Sequence, residues 1–423
     1  MSDTIAFLTR RFSEYYRSKE LYLPERFGKR EWGFMFFEGG FMQRHLAFQS
    51  EGRLRDFLVE RAPAHVYHSS AYYQTPDAST MAEKNWLGAD LIFDLDADHI
   101  KGAEGLSYEE TLAKVKEEYI RLIDDFLLSD LGFSEEQLLI VFSGGRGYHI
   151  HIRDPQVVPL TSHERREIVD YITGRDLEWG WVFEKEAFDK RSFGGHVKVL
   201  HKTFMPRKGE GGWKKKMSEG IFKLLDELEV MGEEEAVKRL STIEGVGDKT
   251  ARGIYTHLFK DESGNRQVDR LRNEENIEVL GKYLDIFLDI VKGEVSVRIE
   301  GDEERGIDAE SLTVKDKLEG ETDEPVTSDI KRLIRLPSSL HGKTGLCVTV
   351  LSRDDLDTFE PLRDAVSDFF PDDPVAVKVA GPVNVKLKGE HFDLREGETE
   401  IPEYAAIFLL CRRLAELSGS MSD

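Results

Sequence analysis

Cysteine is scarce: Cys347 and Cys411 are the only two in 423 residues, each alone among apolar neighbours. That excludes a disulfide framework and a cysteine-built zinc site, and makes a reducing cytoplasm the expected compartment. Long apolar runs are missing too. None approaches the roughly 18 residues that cross a bilayer, and the first residues hold no apolar signal core, so neither a membrane anchor nor export is expected. Positive charge is also in deficit: 58 Lys and Arg face 81 Asp and Glu, a formal net charge of −23. A protein coated in positive potential for nucleic acid is excluded, whereas a local basic groove is not. The acid excess fits a salty cytoplasm and plain solubility alike. With 40% hydrophobic and 33% charged residues, the chain reads as globular, long enough for two or three domains and a large core.

What is present is organised around 91–98, L-I-F-D-L-D-A-D. Leu91, Ile92 and Phe93 form a short apolar run with strand propensity. Successive strand residues point to opposite faces, so Asp94 and Asp96 share one face, about 7 Å apart. Like charges that close repel, and burying either alone is costly. A hard divalent cation removes the conflict, because Mg²⁺ takes oxygen ligands from one or two carboxylates and completes its shell with water and substrate phosphates. A strand end that exposes both aspartates to water is the plainer alternative.

A second informative stretch follows. Apolar residues of 108–131 (Leu112, Val115, Tyr119, Leu122, Ile123, Phe126, Leu127) recur at helical spacing and predict an amphipathic helix on a sheet. Leu138–Phe142 is a continuous apolar run, a buried strand; Ser143-Gly-Gly-Arg-Gly147 is a turn; and 148–152, Y-H-I-H-I, alternates as a second strand. Strand, glycine turn, strand differs from the dinucleotide and P-loop fingerprints, which need a helix after the glycines. Here the glycines let backbone approach a ligand closely, and Ser143, Arg146 and turn N–H groups can converge on phosphate oxygens. His149 and His151 share one face of the second strand; Ile150 and Ile152 share the other, the core side. A hairpin with an incidental arginine and histidine is the alternative.

The third stretch is 323–346, D-E-P-V-T-S-D-I-K-R-L-I-R-L-P-S-S-L-H-G-K-T-G-L. Asp329 is placed to cap a short helix with Ile330, Leu333 and Ile334 on its buried face, ended before Pro337. Lys331, Arg332 and Arg335 on that helix, with His341 and Lys343 in the turn beyond, gather basic groups for which a triphosphate is a natural partner.

Elsewhere, 1–30 reads as helical and 30–41 as two strands joined at Gly39 and Gly40. Arg44 follows, as surface decoration or a phosphate contact, and Tyr72 and Tyr73 suit either core packing or a stacking surface. From 155 to 300 helical patterns dominate. Within them, 202–216 is basic (Lys202, Arg207, Lys208, Lys214, Lys215, Lys216) with Phe204 and Trp213 interleaved, a nucleic-acid surface or a solvated loop. Segment 243–255, I-E-G-V-G-D-K-T-A-R-G-I-Y, is similar to a helix-hairpin-helix element, in which a Gly-x-Gly turn opens a helix whose N–H groups hold a DNA phosphate; an ordinary interhelical turn is the alternative. Strands resume from Val295, 300–321 is an acidic loop, and short strands around 375–379 and 383–387 precede a helix at 404–417.

Together the three stretches resemble the catalytic subunit of archaeal and eukaryotic DNA primase, the archaeal form most closely, over nearly the whole length. The resemblance is carried by L-I-F-D-L-D-A-D-H, F-S-G-G-R-G-Y-H and D-I-K-R-L-I-R-L-P-S-S-L-H-G-K-T-G-L, and returns at I-P-E-Y-A-A-I-F-L. It implies an α/β (α+β) fold: a mixed-sheet catalytic core of RNA-recognition-motif type with an inserted helical subdomain. The catalytic domain then occupies 1–199 and 294–423, and the insertion 200–293. It implies that Asp94 and Asp96 bind metal with a third carboxylate at Asp323, Asp329 being the rival. Ser143, Arg146 and His149 match positions that hold nucleotide phosphates, Arg335 and His341 match contacts to the incoming triphosphate, and Arg44 matches a further nucleotide contact. The implied activity is nucleotidyl transfer with Mg²⁺ or Mn²⁺: a DNA-directed RNA polymerase of primase type, making short primers from nucleoside triphosphates on single-stranded DNA for replication. A primase large subunit is the implied heterodimer partner. Many family members carry a zinc knuckle after the D-x-D strand; 99–116 here contains no cysteine, so no structural zinc is expected. Two other readings compete: a primase-polymerase or end-joining polymerase of the same superfamily, and a non-catalytic DNA-binding subunit using the helix-hairpin-helix-like turn.

Overall fold

The computed structural model describes residues 2–100, 105–193, 196–207, 209–260, 266–294 and 313–418. The chain divides into two compact units, Met1–Val169 with Glu321–Asp423, and Asp170–Gly320.

The first unit is built on two four-stranded antiparallel sheets. One contains β1 (Trp32–Met35), β2 (Gln43–Leu46) and β3 (His65–Ser69). The other contains β4 (Leu91–Asp96), β5 (Leu138–Phe142) and β6 (Gly147–Ile152). Late in the chain, β7 (Leu333–Arg335) joins the first sheet and β8 (Thr349–Leu351) the second. The spatial orders are β7-β3-β1-β2 and β8-β5-β6-β4. The apolar run of β4 is buried along with Tyr148, Ile150 and Ile152 of β6, as the strand patterns predict.

The helix Tyr108–Arg121 opens on a capping box between Ser107 and Glu110 and buries Leu112, Val115 and Tyr119. It covers one face of the second sheet, where the Tyr119 and Tyr148 rings meet at 5.0 Å between centroids. The helical path then widens into a π turn over Leu122–Leu128, with Leu122, Ile123, Phe126 and Leu127 buried. The opposite face of this sheet meets the first one: the His68 and His151 rings stack at 5.7 Å, and Ile92 packs with Val326 and Ile334. A three-stranded sheet from Pro374–Val379, Gly397–Pro402 and Ala415–Leu417 completes the unit. Beside it the helix Glu403–Cys411 is buried on every side, which fits its almost wholly apolar sequence.

The second unit holds the antiparallel hairpin Lys185–Phe193 with His196–Thr203. Its helices include Gly212–Ser241, Asp248–Phe259, Gln267–Glu274 and Leu284–Lys292.

Four elements differ from the sequence expectation, one of them the helix expected at 404–417, which ends at Cys411 and leaves Ala415–Leu417 as a strand. The insertion starts earlier and ends later than 200–293: the hairpin pairs with itself inside the second unit, and the helix Val314–Leu318 packs where Gly220 leaves room on Gly212–Ser241. The basic helix expected after Asp329 is instead strand β7, because Leu333, Ile334 and Arg335 pair with Ser69, His68 and Tyr67. The helix lies just before it, at Glu324–Ser328. At the N-terminus the helix is confined to Asp3–Ser18. The strand expected from Val295, and most of the acidic 300–321 loop, lie outside the described residues. Among the described residues no helix is long and apolar enough to cross a membrane.

Candidate active site

Register places the two aspartates. In the β4–β6 pair, Asp94 stands opposite His149, and Asp96 opposite Gly147. Directly opposed residues of an antiparallel pair share a face, so Asp94, Asp96, His149 and His151 line one side of the sheet. At position 147 a Cβ would run into the carbonyl of Leu95 and the Cα of Asp96. Glycine there is what lets the turn close against the aspartate strand.

A third carboxylate arrives from far along the chain. The Asp323 amide donates to the Asp94 carbonyl oxygen at 2.9 Å, fixing the start of the helix Glu324–Ser328 beside β4. Asp94 is partly buried, and its carboxyl is pushed up to about 7. Burial is the main cause, with Asp96 and Asp323 adding repulsion while Arg335 and Arg332 pull the other way. Asp329 goes elsewhere: it is exposed, its carboxylate accepts from the Lys331 amide at 2.8 Å, and the groups that feel its charge are Tyr73 and Arg165.

The glycine turn closes through the Ser143 amide on the Gly147 carbonyl at 2.9 Å, with the Gly145 amide on Ser143 Oγ at 3.3 Å. Tyr108, at the start of its helix, donates to the Gly145 carbonyl at 2.6 Å and holds the turn from outside. The Arg146 guanidinium reaches back to Asp96 at 3.2 Å and also pairs with Asp98. His149 is buried, with Nδ1 3.0 Å from His151 Nε2 and Nε2 without a partner.

The 341–346 loop packs on this turn. Gly144 sits at φ +75°, and a Cβ there would stand 2.7 Å from the Cβ of His341. Thr344 ties the two segments by donating to the Gly144 carbonyl at 2.5 Å while its oxygen lies 3.0 Å from His341 Nδ1. Arg335 is the shared charge. Its guanidinium lies over the Tyr67 ring at 5.6 Å, and its Nε is buried without a partner. It acts on Asp94, and it helps hold His65, His149 and His341 below the usual imidazole range, in each case behind burial as the larger cause. So Asp94, Asp96, Asp323, Ser143, Arg146, His149, Arg335 and His341 gather in one place.

Arg44 is placed differently. It pairs with the buried Glu31 at 3.1 Å, a carboxylate that also faces Lys84 at 3.7 Å, and its charge is felt at Tyr73 and Lys84. Tyr72 and Tyr73 are core residues; Tyr72 bonds to Asp90 and accepts from Arg30 at 3.1 Å. Within the basic stretch 202–216, Trp213 is buried and donates to the Tyr171 carbonyl, Lys214 pairs with Glu184 and Glu210, and Lys202 lies over the Phe204 ring. Sequence reading passed over Tyr108, Asp90 and the role of His151 as a prop for His149. Alternation did place both histidines on one face, which was the available signal.

A sequence model of the DNA primase small subunit family matches residues 93–353. Three relatives run nearly end to end with this chain. The DNA primase small subunit PriS of Methanocella arvoryzae is 42% identical, covering 98% of this chain and 99% of its own length. That of Methanococcoides burtonii is 44% identical over 97% of each, and that of Halobacterium salinarum 38% over 98% of each.

Proposed function

The chain belongs to the DNA primase small-subunit family, and from that premise we propose that Asp94, Asp96 and Asp323 hold the divalent cations, Mg²⁺ or Mn²⁺, of its nucleotidyl transfer. It is the catalytic subunit of a DNA primase, which acts in replication on a DNA template with nucleoside triphosphates. The finer reading is a DNA-directed RNA polymerase of primase type in the cytoplasm, working on single-stranded template beside a primase large subunit.

The donors fit a hard cation, since all three are carboxylates. The Asp94 carboxyl is raised first by burial, with Asp96 and Asp323 adding repulsion that Arg335 and Arg332 counter, so a cation there would meet a partly desolvated carboxylate beside two others. Among the described residues no three such side chains converge as a ready-made cage, and a Mg²⁺ shell needs only one or two carboxylates once triphosphate oxygens join it. When bound, the ions lower the pKa of the attacking hydroxyl and stabilise charge on the departing pyrophosphate.

The remaining work falls to the chain's own groups. The Ser143–Gly147 turn offers backbone N–H groups and a hydroxyl to phosphate oxygens. Arg335, from the other sheet, and His341, from the loop beyond it, approach the same space; the Arg335 charge and the hydrogen bonds of both orient the triphosphate for attack. His149 presents its unpartnered Nε2 on the aspartate face. Arg146 pairs with Asp96 and Asp98; a cation held by Asp96 would compete for the first of these contacts, and the guanidinium can then turn to a phosphate.

The observation that carries this reading is the Asp323 amide on the Asp94 carbonyl, which sets a third carboxylate against the D-x-D strand. The test is dinucleotide and primer synthesis on single-stranded DNA, with ribo- and deoxyribonucleotides. Asp96→Asn should lose synthesis while keeping its circular dichroism and its DNA affinity. Full synthesis by Asp96→Asn would refute the metal assignment.

A further inference from the structure

The second unit contains a motif that nucleotidyl transfer does not use. Segment 240–255 reads L-S-T-I-E-G-V-G-D-K-T-A-R-G-I-Y. Its apolar members Leu240, Ile243, Val246, Ala251 and Ile254 are buried, so the helices Gly212–Ser241 and Asp248–Phe259 are locked about a short glycine turn. Gly245, at φ +85°, is required by the backbone. Gly247 is not: its φ of −84° suits any residue, and a Cβ there would meet nothing within 4 Å. A side chain at 247 would obstruct only something arriving from outside.

Beyond the turn a cavity of about 470 Å³ follows one face of Asp248–Phe259, lined by Lys249, Arg252 and His257, with Lys282 and Tyr283 across it. Among the described residues Lys249 and Lys282 have no carboxylate partner; Lys282 rests over the Tyr283 ring at 4.9 Å. Arg252 shares the half-buried Glu233 with Lys260. In a chain of net charge −23, two lysines without a carboxylate partner beside an arginine on one concavity are a local reversal of sign.

We propose that this groove binds the sugar-phosphate backbone of DNA without reading its sequence. Lys249, Arg252 and Lys282 neutralise phosphates, and the open Gly247 turn lets the backbone come close. Tyr283 gives a sugar or base a flat partner. The groove is open and shallow, so its cations meet phosphates, which carry no sequence information. The choice of DNA rests on the primase reading; the anion-binding chemistry does not.

The test uses the full chain, fluorescein-labelled single-stranded and duplex DNA, and anisotropy over a salt series. Each lost phosphate contact removes about 0.7 from the log–log salt slope for a single strand and about 0.9 for a duplex. Lys249→Glu with Lys282→Glu should therefore flatten the slope by roughly 1.4 to 1.8 and weaken binding at least about tenfold near 0.1 M salt. The charge-matched pair Lys223→Glu with Lys238→Glu, exposed positions of the same unit, should stay near wild type. Gly247→Glu, which the backbone tolerates, should behave like the groove variant. Wild-type affinity in both groove variants, or an equal loss in the charge-matched control, would overturn the proposal. Asp96→Asn serves as the separating control: it retains binding if the groove is real, whatever it does to synthesis.

Discussion

His149 Nδ1 lies 3.0 Å from His151 Nε2, while the other ring nitrogen of His149 is buried without a partner. His151 is held in turn, with its Nδ1 3.7 Å from Asp90 and its ring stacked on His68. The pair fixes the plane of His149 and aims its spare nitrogen along the face that carries Asp94. His151→Phe keeps the ring and the stacking but removes that nitrogen. One hydrogen bond contributes about 0.5–1.5 kcal/mol, so the KM for nucleoside triphosphate should rise roughly two- to tenfold, with kcat changed less. Steady-state kinetics on a primed template measure the split; an unchanged KM would show that packing alone holds His149.

The local parts of this site were legible because they repeat over few residues. The apolar run before Asp94 follows from strand propensity, and the alternation through His149 and His151 from two-residue periodicity. The glycines of 143–147 mark a turn whatever surrounds it. What sequence could not supply was the partner of a short segment. Leu333, Ile334 and Arg335 satisfy a helical spacing as well as a strand, and only pairing with Tyr67, His68 and Ser69 decides for the strand. The same limit hid the company of Arg44, because Glu31 and Lys84 reach it through folding rather than spacing. Lys214 and Trp213 looked like a nucleic-acid surface because their partners Glu184 and Tyr171 are not neighbours in sequence.

His65 gives a pH signature. Burial first, then Arg335 and Lys343, lower its pKa from the ordinary 6.5 to about 3. The native state holds this imidazole neutral, while the unfolded chain takes up a proton below 6.5. Its contribution is therefore complete above 6.5 and is lost as pH falls toward 3. At pH 5 the loss is about 2 kcal/mol. In His65→Gln, whose amide oxygen can still accept from the Gly342 amide, this contribution is gone. Urea denaturation at pH 7.5 and pH 5 should show the stability difference between the two proteins shifting by about 2 kcal/mol in favour of the variant at the lower pH. Parallel pH dependence would mean that His65 titrates normally in the fold.

Asp94 has the opposite sign. Its carboxyl is raised from 3.8 to about 7, so the native state holds a proton that the unfolded chain has released. Stability then falls as pH rises from 3.8 through 7, by at most about 4 kcal/mol. Asp94→Asn removes this cost. With chelator at pH 8 the variant should melt above wild type although its synthesis is lost. Added Mg²⁺ should raise the wild-type melting point, through binding to the native state alone, and leave the variant nearly unmoved. Identical melting of the two proteins in chelator would show that Asp94 carries no electrostatic strain.

Asp323 and Asp329 provide the discriminating pair. They lie on either side of the helix Glu324–Ser328, close enough in sequence that spacing alone does not choose between them. The backbone does distinguish them: the Asp323 amide is bonded to the Asp94 carbonyl, and the Asp94 carboxyl feels Asp323, whereas Asp329 is exposed and accepts from the Lys331 amide. Asp323→Asn leaves that backbone bond in place and removes only the charge. It should lower kcat for primer synthesis by at least about a hundredfold, the loss of roughly 2.7 kcal/mol of transition-state stabilisation, with triphosphate KM much less affected. Asp329→Asn removes a local turn contact and should stay within about threefold, below 1 kcal/mol. The two variants assayed side by side across a Mn²⁺ titration give the answer directly. A full loss in Asp329→Asn with activity retained in Asp323→Asn would move the third carboxylate to the other end of the helix and with it the orientation of the bound triphosphate.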